Sequence, residues 1–299
     1  MKKSVSLLLA ALMLTGALAG CGSSASASDT QAADGADSGV SGAITVISRE
    51  DGSGTRGAFI ELTGVEEKTA DGKKVDNTTA DAEIANKTDV VLTSVAGNEK
   101  AIGYISLGAL NDTVKAVKVD GAEATVDNVK AGAYKLSRPF NIATKGEPTG
   151  LAKDFINFIL SKEGQAVVTD NKYIAVNDAA ESFVSDGSSG QIAVGGSSSV
   201  SPVMEKLIEA YKSVNPNASI DLQTSDSTSG MTGAMDGTFA IGMASRELKD
   251  EEAAQLTGTA IALDGIAVIV NPANTIDELS MDQIKSIYVG DITDWGDLA

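Results

Sequence analysis

The chain has no histidine and only one cysteine among its 299 residues. The missing imidazole removes the commonest general base and metal ligand, which argues against most hydrolytic and metal-dependent chemistry. A lone cysteine excludes an internal disulfide, so stability has to come from packing. No stretch beyond residue 20 is long and apolar enough for a transmembrane helix. Basic charge is scarce as well: 23 Lys and Arg face 41 Asp and Glu, a net charge of −18. Such acidity argues against nucleic acid and anionic lipid as partners. It does not argue against a small anion, whose capture depends on local donors. No fixed-period repeat is present.

Residues 1–20 have the pattern of a secretory signal, with Lys2 and Lys3 ahead of an apolar run from Val5 to Ala17. The signal ends Leu18-Ala19-Gly20-Cys21, which resembles a bacterial lipobox. Cys21 is therefore expected to carry lipid and to become the first mature residue. Two or more acyl chains, at about 0.8 kcal/mol per buried CH₂, would hold the chain on a membrane. Residues 21–42 are rich in Ser, Ala, Gly and Asp and read as a flexible tether.

Two globular blocks follow, separated by the polar stretch 177–190. In both, apolar strands alternate with amphipathic helices, which predicts an α/β architecture. The first block has expected strands at Ile44–Ile47, Ile102–Ser106, Val114–Val119 and Pro139–Thr144, and helices at Thr55–Leu62 and Leu151–Leu160. The second has expected strands at Ile192–Gly195, Ile220–Gln223, Phe239–Met243 and Ile261–Val270, with a helix near Met281–Tyr288. Met231, Met235 and Met243 are read as core residues.

The most informative segment is Ser48-Arg49-Glu50-Asp51-Gly52-Ser53-Gly54-Thr55-Arg56. A strand, a glycine- and hydroxyl-rich turn and a helix start together make an anion site, because turn amides converge and the helix N-terminus is partly positive. Ser53 and Thr55 offer hydroxyls, while Arg49 and Arg56 offer guanidinium forks suited to tetrahedral oxyanions. Two more hydroxyl-rich turns follow strands, at Ser197-Ser198-Ser199 and at Ser225-Asp226-Ser227-Thr228-Ser229-Gly230. Any one such turn is more often a plain cap or loop. Three of them, one flanked by arginines, point to an oxyanion cradle.

Arg49–Arg56, Ala101–Ser106, Leu136-Ser137-Arg138-Pro139, Gly196–Pro202, Ala240–Leu248 and Leu263-Asp264-Gly265-Ile266-Ala267 resemble motifs of the phosphate-specific substrate-binding lipoproteins of bacterial ABC importers. The resemblance covers nearly all of 43–176 and 191–299 and implies a two-lobe, type II periplasmic-binding-protein fold with the ligand in the cleft between lobes. The order is circularly permuted: the segment like 191–299 usually precedes the segment like 44–176. This layout implies one lobe in two parts, 43–137 and 269–299, and a continuous lobe, 138–268, that contains the joining stretch 177–190. The resemblance places the inter-lobe crossings near Pro139–Asn141 and Val268–Asn271.

The same resemblance assigns inorganic phosphate to Arg49, Ser53, Gly54, Thr55, Ser198, Ser199, Ser227 and Ser245. Many relatives carry aspartate where Ser245 stands. Asp51 is either an orienting partner for Arg49 or an ordinary turn residue. Arg56 is a supporting candidate, and Arg246 either enters the cleft or pairs on the surface with Glu247 or Asp250. Trp295 is expected at a lobe surface. The implied partners are phosphate, an ABC permease and the membrane through Cys21, with no nucleic acid, cofactor or metal, in a monomer. Other readings are a different oxyanion (sulfate or molybdate) and a sensing lipoprotein. A secreted phosphatase would also need a metal cluster or activated nucleophile, and the lack of histidine and of a close Asp/Glu ligand group beside the cradle argues against it.

Overall fold

The computed structural model describes residues 40–298. The signal peptide, Cys21 and most of the tether lie outside the described residues. The first half of the chain forms β1 (Thr45–Arg49), α1 (Gly54–Thr63), β2 (Glu66–Lys68), β3 (Lys74–Asp76), β4 (Glu83–Ala85), α2 (Thr88–Ala96) and β5 (Ala101–Ser106). After these come β6 (Lys115–Ala116), β7 (Lys118–Val119), α3 (Val126–Lys130), β8 (Ser137–Thr144), α4 (Gly150–Leu160) and α5 (Lys162–Asp170). The second half forms β9 (Gly190–Ser197), α6 (Ser201–Val214), β10 (Ala218–Ser225), α7 (Ser227–Asp236) and β11 (Ile241–Ala244). It ends with α8 (Asp250–Ala253), β12 (Thr257–Val270), β13 (Glu278–Leu279) and α9 (Met281–Val289).

Nine strands form one curled sheet in the order β10-β9-β11-β8-β12-β5-β1-β4, with β6 beside β12. Two apolar cores lie along it. One collects Ile47, Phe59, Tyr104, Leu136, Ile266–Val270, Tyr288 and Trp295. The other collects Phe140, Phe155, Phe158, Val194, Leu207, Tyr211, Met243 and Ile261. The lobes built on these cores share β8 and β12, an antiparallel pair with Arg138 opposite Asp264 and Ser137 opposite Gly265. The chain therefore crosses between lobes at residues 137–139 and 263–265. The second crossing corrects the expected Val268–Asn271. Those strand residues are held inside the first core, where Ile266–Val270 pair with β5.

Local physics explains where elements stop. Ser280 and Gln283 close a reciprocal capping box on α9, and Gly290 ends it in the left-handed region at φ 85°. The expected strand Val114–Val119 is split, because β6 pairs with β12 whereas β7 turns to pair with β13. The expected start at Phe239 is also too early: its ring packs over Gly195 and Gly233, and β11 begins at Ile241. Gly196 and Gly230 let α7 lie directly on β9, since a Cβ on Gly230 would stand 2.7 Å from the Gly196 Cα.

The two ends of the described chain meet on one lobe. Ile44 N–H donates to Thr293 O at 2.8 Å, Gly42 N–H to Asp294 Oδ1 at 2.9 Å, and Trp295 N–H to Gly42 O at 3.1 Å. The last tether residues are thus tied down. Trp295 is not at a surface as expected: it is 1% exposed, and its indole N–H donates to Lys100 O. The stretch 177–190 packs on the other lobe. There Asp154 accepts from Ser185 Oγ, from Asp186 N–H and from the Tyr211 hydroxyl. Burial alone would raise the Asp154 pKa, but these hydrogen bonds overcome it and hold the carboxyl below its usual range.

Candidate functional site

β1 ends where the cleft begins, and its parallel neighbours fix what gathers there. Ser48 Oγ lies 2.9 Å from the Tyr104 hydroxyl, and Arg49 N–H donates to that hydroxyl at 3.2 Å. Tyr104 stacks on Phe59 with ring centroids 3.9 Å apart. The turn after β1 is therefore mounted on a rigid aromatic floor. Ser53 then caps α1, its Oγ accepting from Arg56 N–H.

Arg49 is only 2% exposed. Its Nε and Nη2 grip Glu50 bidentately at 2.8 Å each, and Nε also donates to Ala85 O. Nη2 reaches across the cleft to Ser198 Oγ at 3.0 Å, while Nη1 is buried without a partner. Thr55 Oγ1 and Ser199 Oγ are 2.7 Å apart, again between lobes. Ser245 Oγ accepts from Ser197 Oγ at 3.0 Å and lies 3.5 Å from both Thr55 Oγ1 and Ser227 Oγ. Ser227 Oγ in turn accepts from Ser245 N–H. A Cβ on Gly54 would fall on Ser227 Oγ, so only glycine lets the backbone come this close. Thr228 N–H and Oγ1 both bond to Gly52 O, which closes the lobes on each other beside the site.

All eight residues assigned by resemblance, Arg49, Ser53, Gly54, Thr55, Ser198, Ser199, Ser227 and Ser245, are buried in this one region. The supporting residues are placed differently. Asp51 does not orient Arg49. Its side chain is 97% exposed and pairs with Arg56, and the neighbouring Glu50 holds Arg49 instead. Arg56 is engaged by Asp51, Asp76 and the Arg49 carbonyl, so it braces the turn and does not join the hydroxyl group. Arg246 pairs bidentately with Glu252 at 2.7 and 2.8 Å, not with Glu247 or Asp250 carboxylates, and its guanidinium also touches Thr228 Oγ1. Burial would raise the Glu252 pKa, but Arg246 holds the carboxyl below its ordinary value.

Sequence reasoning left Ser197 out of the site and missed Glu50 and Thr88. Ser197 belonged to a turn already noticed. Thr88 follows no glycine or serine signal, and only the parallel pairing of β1 with β4 brings it in. A separate groove of about 660 Å³, between α1, the crossing residues 137–139 and residues 246–251, holds none of the clustered hydroxyls.

Two α/β lobes hinged on a shared strand pair, with a hydroxyl-lined cleft between them, are the architecture of a periplasmic-binding-protein receptor. A family model described as a PBP superfamily domain matches residues 25–163 and 182–299. The phosphate-binding protein PstS 2 of Streptococcus agalactiae is 50% identical over 300 residues, 99% of this chain and 98% of that protein. PstS 2 of Streptococcus pneumoniae is 49% identical over 99% of both chains. A crystal structure of a phosphate ABC transporter phosphate-binding protein from S. pneumoniae is 50% identical, with a TM-score of 0.69 over 86% of this chain and 100% of that one. The chain belongs to the PBP superfamily and, within it, to the PstS family of phosphate-binding proteins. The S. agalactiae and S. pneumoniae relatives align along nearly their whole length, so they share this chain's order of segments.

Proposed function

We propose that this chain is a lipid-anchored extracytoplasmic receptor that captures inorganic phosphate between its lobes and hands it to an ABC importer. The observation that carries the reading is the Arg49 guanidinium, buried with Nη1 unpartnered amid hydroxyls from both lobes. A buried unpartnered cationic donor is costly. An oxyanion placed there would accept from Nη1 and take over the hydroxyls that now bond to one another. Arg49, Ser53, Gly54, Thr55, Ser198, Ser199, Ser227 and Ser245 are the proposed ligand residues.

No covalent step is involved. Hydroxyls on both lobes mean that phosphate binds the closed form better than the open one, which is what shifts a hinge equilibrium. The closed form would be the one an ABC permease recognises. Cys21 would supply the lipid anchor, and among the described residues no helix is long and apolar enough to cross a membrane. The protein would act as a monomer.

Titration calorimetry of the purified protein against phosphate, sulfate and molybdate tests the reading. Tightest binding is expected for phosphate. No heat with phosphate, or catalytic release of phosphate from a monoester, would remove it. A second reading, another tetrahedral oxyanion, draws support from one feature. Ser245 stands where the family resemblance leads one to expect a carboxylate, and among the described residues no carboxylate oxygen is hydrogen-bonded to the clustered hydroxyls of Thr55, Ser197, Ser198, Ser199, Ser227 and Ser245.

A further inference from the structure

Thr88 is the first residue of α2 and is only 3% exposed. Its Oγ1 lies 3.4 Å from Ser198 Oγ and 3.3 Å from Ser199 Oγ. Those are the same two hydroxyls that Arg49 Nη2 and Thr55 Oγ1 engage from their own lobe. The reason is topological. β4 runs parallel to β1 with Ala85 in register with Arg49, so the β4–α2 turn stands beside the β1–α1 turn. Arg49 Nε fastens the two by donating to Ala85 O at 3.2 Å. The residue before the helix, Lys87, makes no side-chain capping bond, which leaves the first-turn amides of α2 without a side-chain acceptor.

Each Thr88 contact is long for a hydroxyl pair, for which about 2.7–2.8 Å is usual. Thr88 is near both partners and well bonded to neither. Beside it, Arg49 Nη1 is buried and unpartnered. A hydroxyl and a guanidinium donor that both lack a good acceptor, with a helix N-terminus behind the hydroxyl, form a local excess of donors. An anion oxygen would satisfy them together.

We propose that Thr88 is a further ligand-binding residue, whose hydroxyl donates to an oxygen of the bound anion alongside Ser198 and Arg49. This rests on the phosphate reading above. The site would then draw on two neighbouring helix N-termini of one lobe, α1 and α2, where the usual signal in the sequence marks only the first.

The test uses Thr88→Val, which keeps the shape and removes the hydroxyl, and Thr88→Ser, which keeps the hydroxyl. Phosphate titrations at fixed pH are compared with wild type and with Arg49→Ala, and ligand-free melting is followed in parallel. Thr88→Val is expected to lose roughly ten- to a hundred-fold in affinity, as for one hydrogen bond to a charged group. Thr88→Ser should stay within about three-fold of wild type, a split that a purely structural role would not produce. If Thr88→Val does not fold, Thr88→Ala against Thr88→Ser makes the same comparison. Wild-type affinity in Thr88→Val or Thr88→Ala, while Arg49→Ala loses binding, would overturn the Thr88 assignment alone. Absence of phosphate binding in the wild type would instead overturn the reading on which it rests.

Discussion

Two buried arginines, one in the hydroxyl cluster and one at the strands that join the lobes, are paired with carboxylates in opposite ways. Arg49 grips Glu50 with two bonds of 2.8 Å, donates to Ser198 and Ala85, and keeps one nitrogen unpartnered. Its carboxylate partner remains 21% exposed. Arg138, at the crossing strands, makes a single 3.2 Å contact with Asp264, and both side chains are all but inaccessible. Nε and Nη1 of Arg138 are both unpartnered, although its guanidinium stands 5.4 Å from the centre of the Phe140 ring. Asp264 also accepts from Ser106 Oγ at 2.9 Å. The first pair keeps its charge near water and presents a donor to the cleft. The second is sealed where the lobes join, so desolvation dominates it. Burial lowers the Arg138 pKa and pushes Asp264 up to about 6 against the pull of Arg138.

The comparison breaks most sharply at Arg49. Arg49→Ala should weaken phosphate binding by about 3–5 kcal/mol, the usual cost of removing one partner of a buried charged pair. Glu50 would then face the ligand without its counter-charge, which adds repulsion. Arg246→Ala should change affinity far less, because Arg246 is occupied by Glu252. Equal affinity for Arg49→Ala and wild type in calorimetry would dismiss Arg49 as the charge partner.

At the hinge the expected loss is in stability, with ligand affinity changed less. Arg138→Ala leaves Asp264 buried without its counter-charge and should cost about 3 kcal/mol in denaturant unfolding. The double variant Arg138→Met with Asp264→Leu should recover much of that, since apolar replacement of a sealed pair is often neutral. A single variant as stable as wild type would mean that water reaches this pair.

The same pair predicts a pH dependence with a definite sign. The folded pKa of Asp264, about 6, lies above its ordinary value of 3.8. Its contribution to stability is therefore fully present below pH 3.8 and is lost as pH rises through 6. Across that window the loss amounts to roughly 3 kcal/mol. Asp154 and Glu252 have depressed values, and what they contribute is lost as pH falls. Melting of wild type and Asp264→Asn between about pH 4 and 8 separates these effects. The wild type should lose ground to the variant as pH increases, and a difference that stays constant would refute the raised pKa.

The contrast also shows what was legible before the structure. The β1 turn announced itself because glycines, hydroxyls and arginines sit within nine consecutive residues, Ser48–Arg56, and each has a local physical role. The choice of partner for Arg49 was not legible, since Glu50 and Asp51 are adjacent carboxylates and only the turn geometry sends Asp51 outward. Thr88 was hidden because β4 is three residues long with Ile84 half exposed, so no apolar pattern marks it as a neighbour of β1. Arg138 and Asp264 were visible only as pieces of resembling motifs. They are 126 residues apart, and antiparallel register alone brings them together. Placing the second crossing depended on the same register, which is why it was expected a few residues too late.

The smallest predicted effect concerns selectivity at Ser245. This side chain is wholly buried, with Ser197 donating to it and Thr55 and Ser227 within 3.5 Å. A carboxylate here accepts a hydrogen bond from the proton of hydrogen phosphate and repels sulfate, which has no proton to offer. A serine hydroxyl accepts from the one and donates to the other, so it separates them less. Ser245→Asp should therefore widen the phosphate-over-sulfate preference by roughly ten-fold, about 1.4 kcal/mol, with phosphate preferred in both proteins. The new carboxylate is expected to be kept ionised by a hydrogen bond from Ser197, which already donates to this position, and by the Thr55 and Ser227 hydroxyls 3.5 Å away. Competition titrations at fixed pH measure the ratio directly. A ratio that stays the same or narrows would show that position 245 does not touch the anion, and that Ser245 only ties the turns after β9 and β10 together.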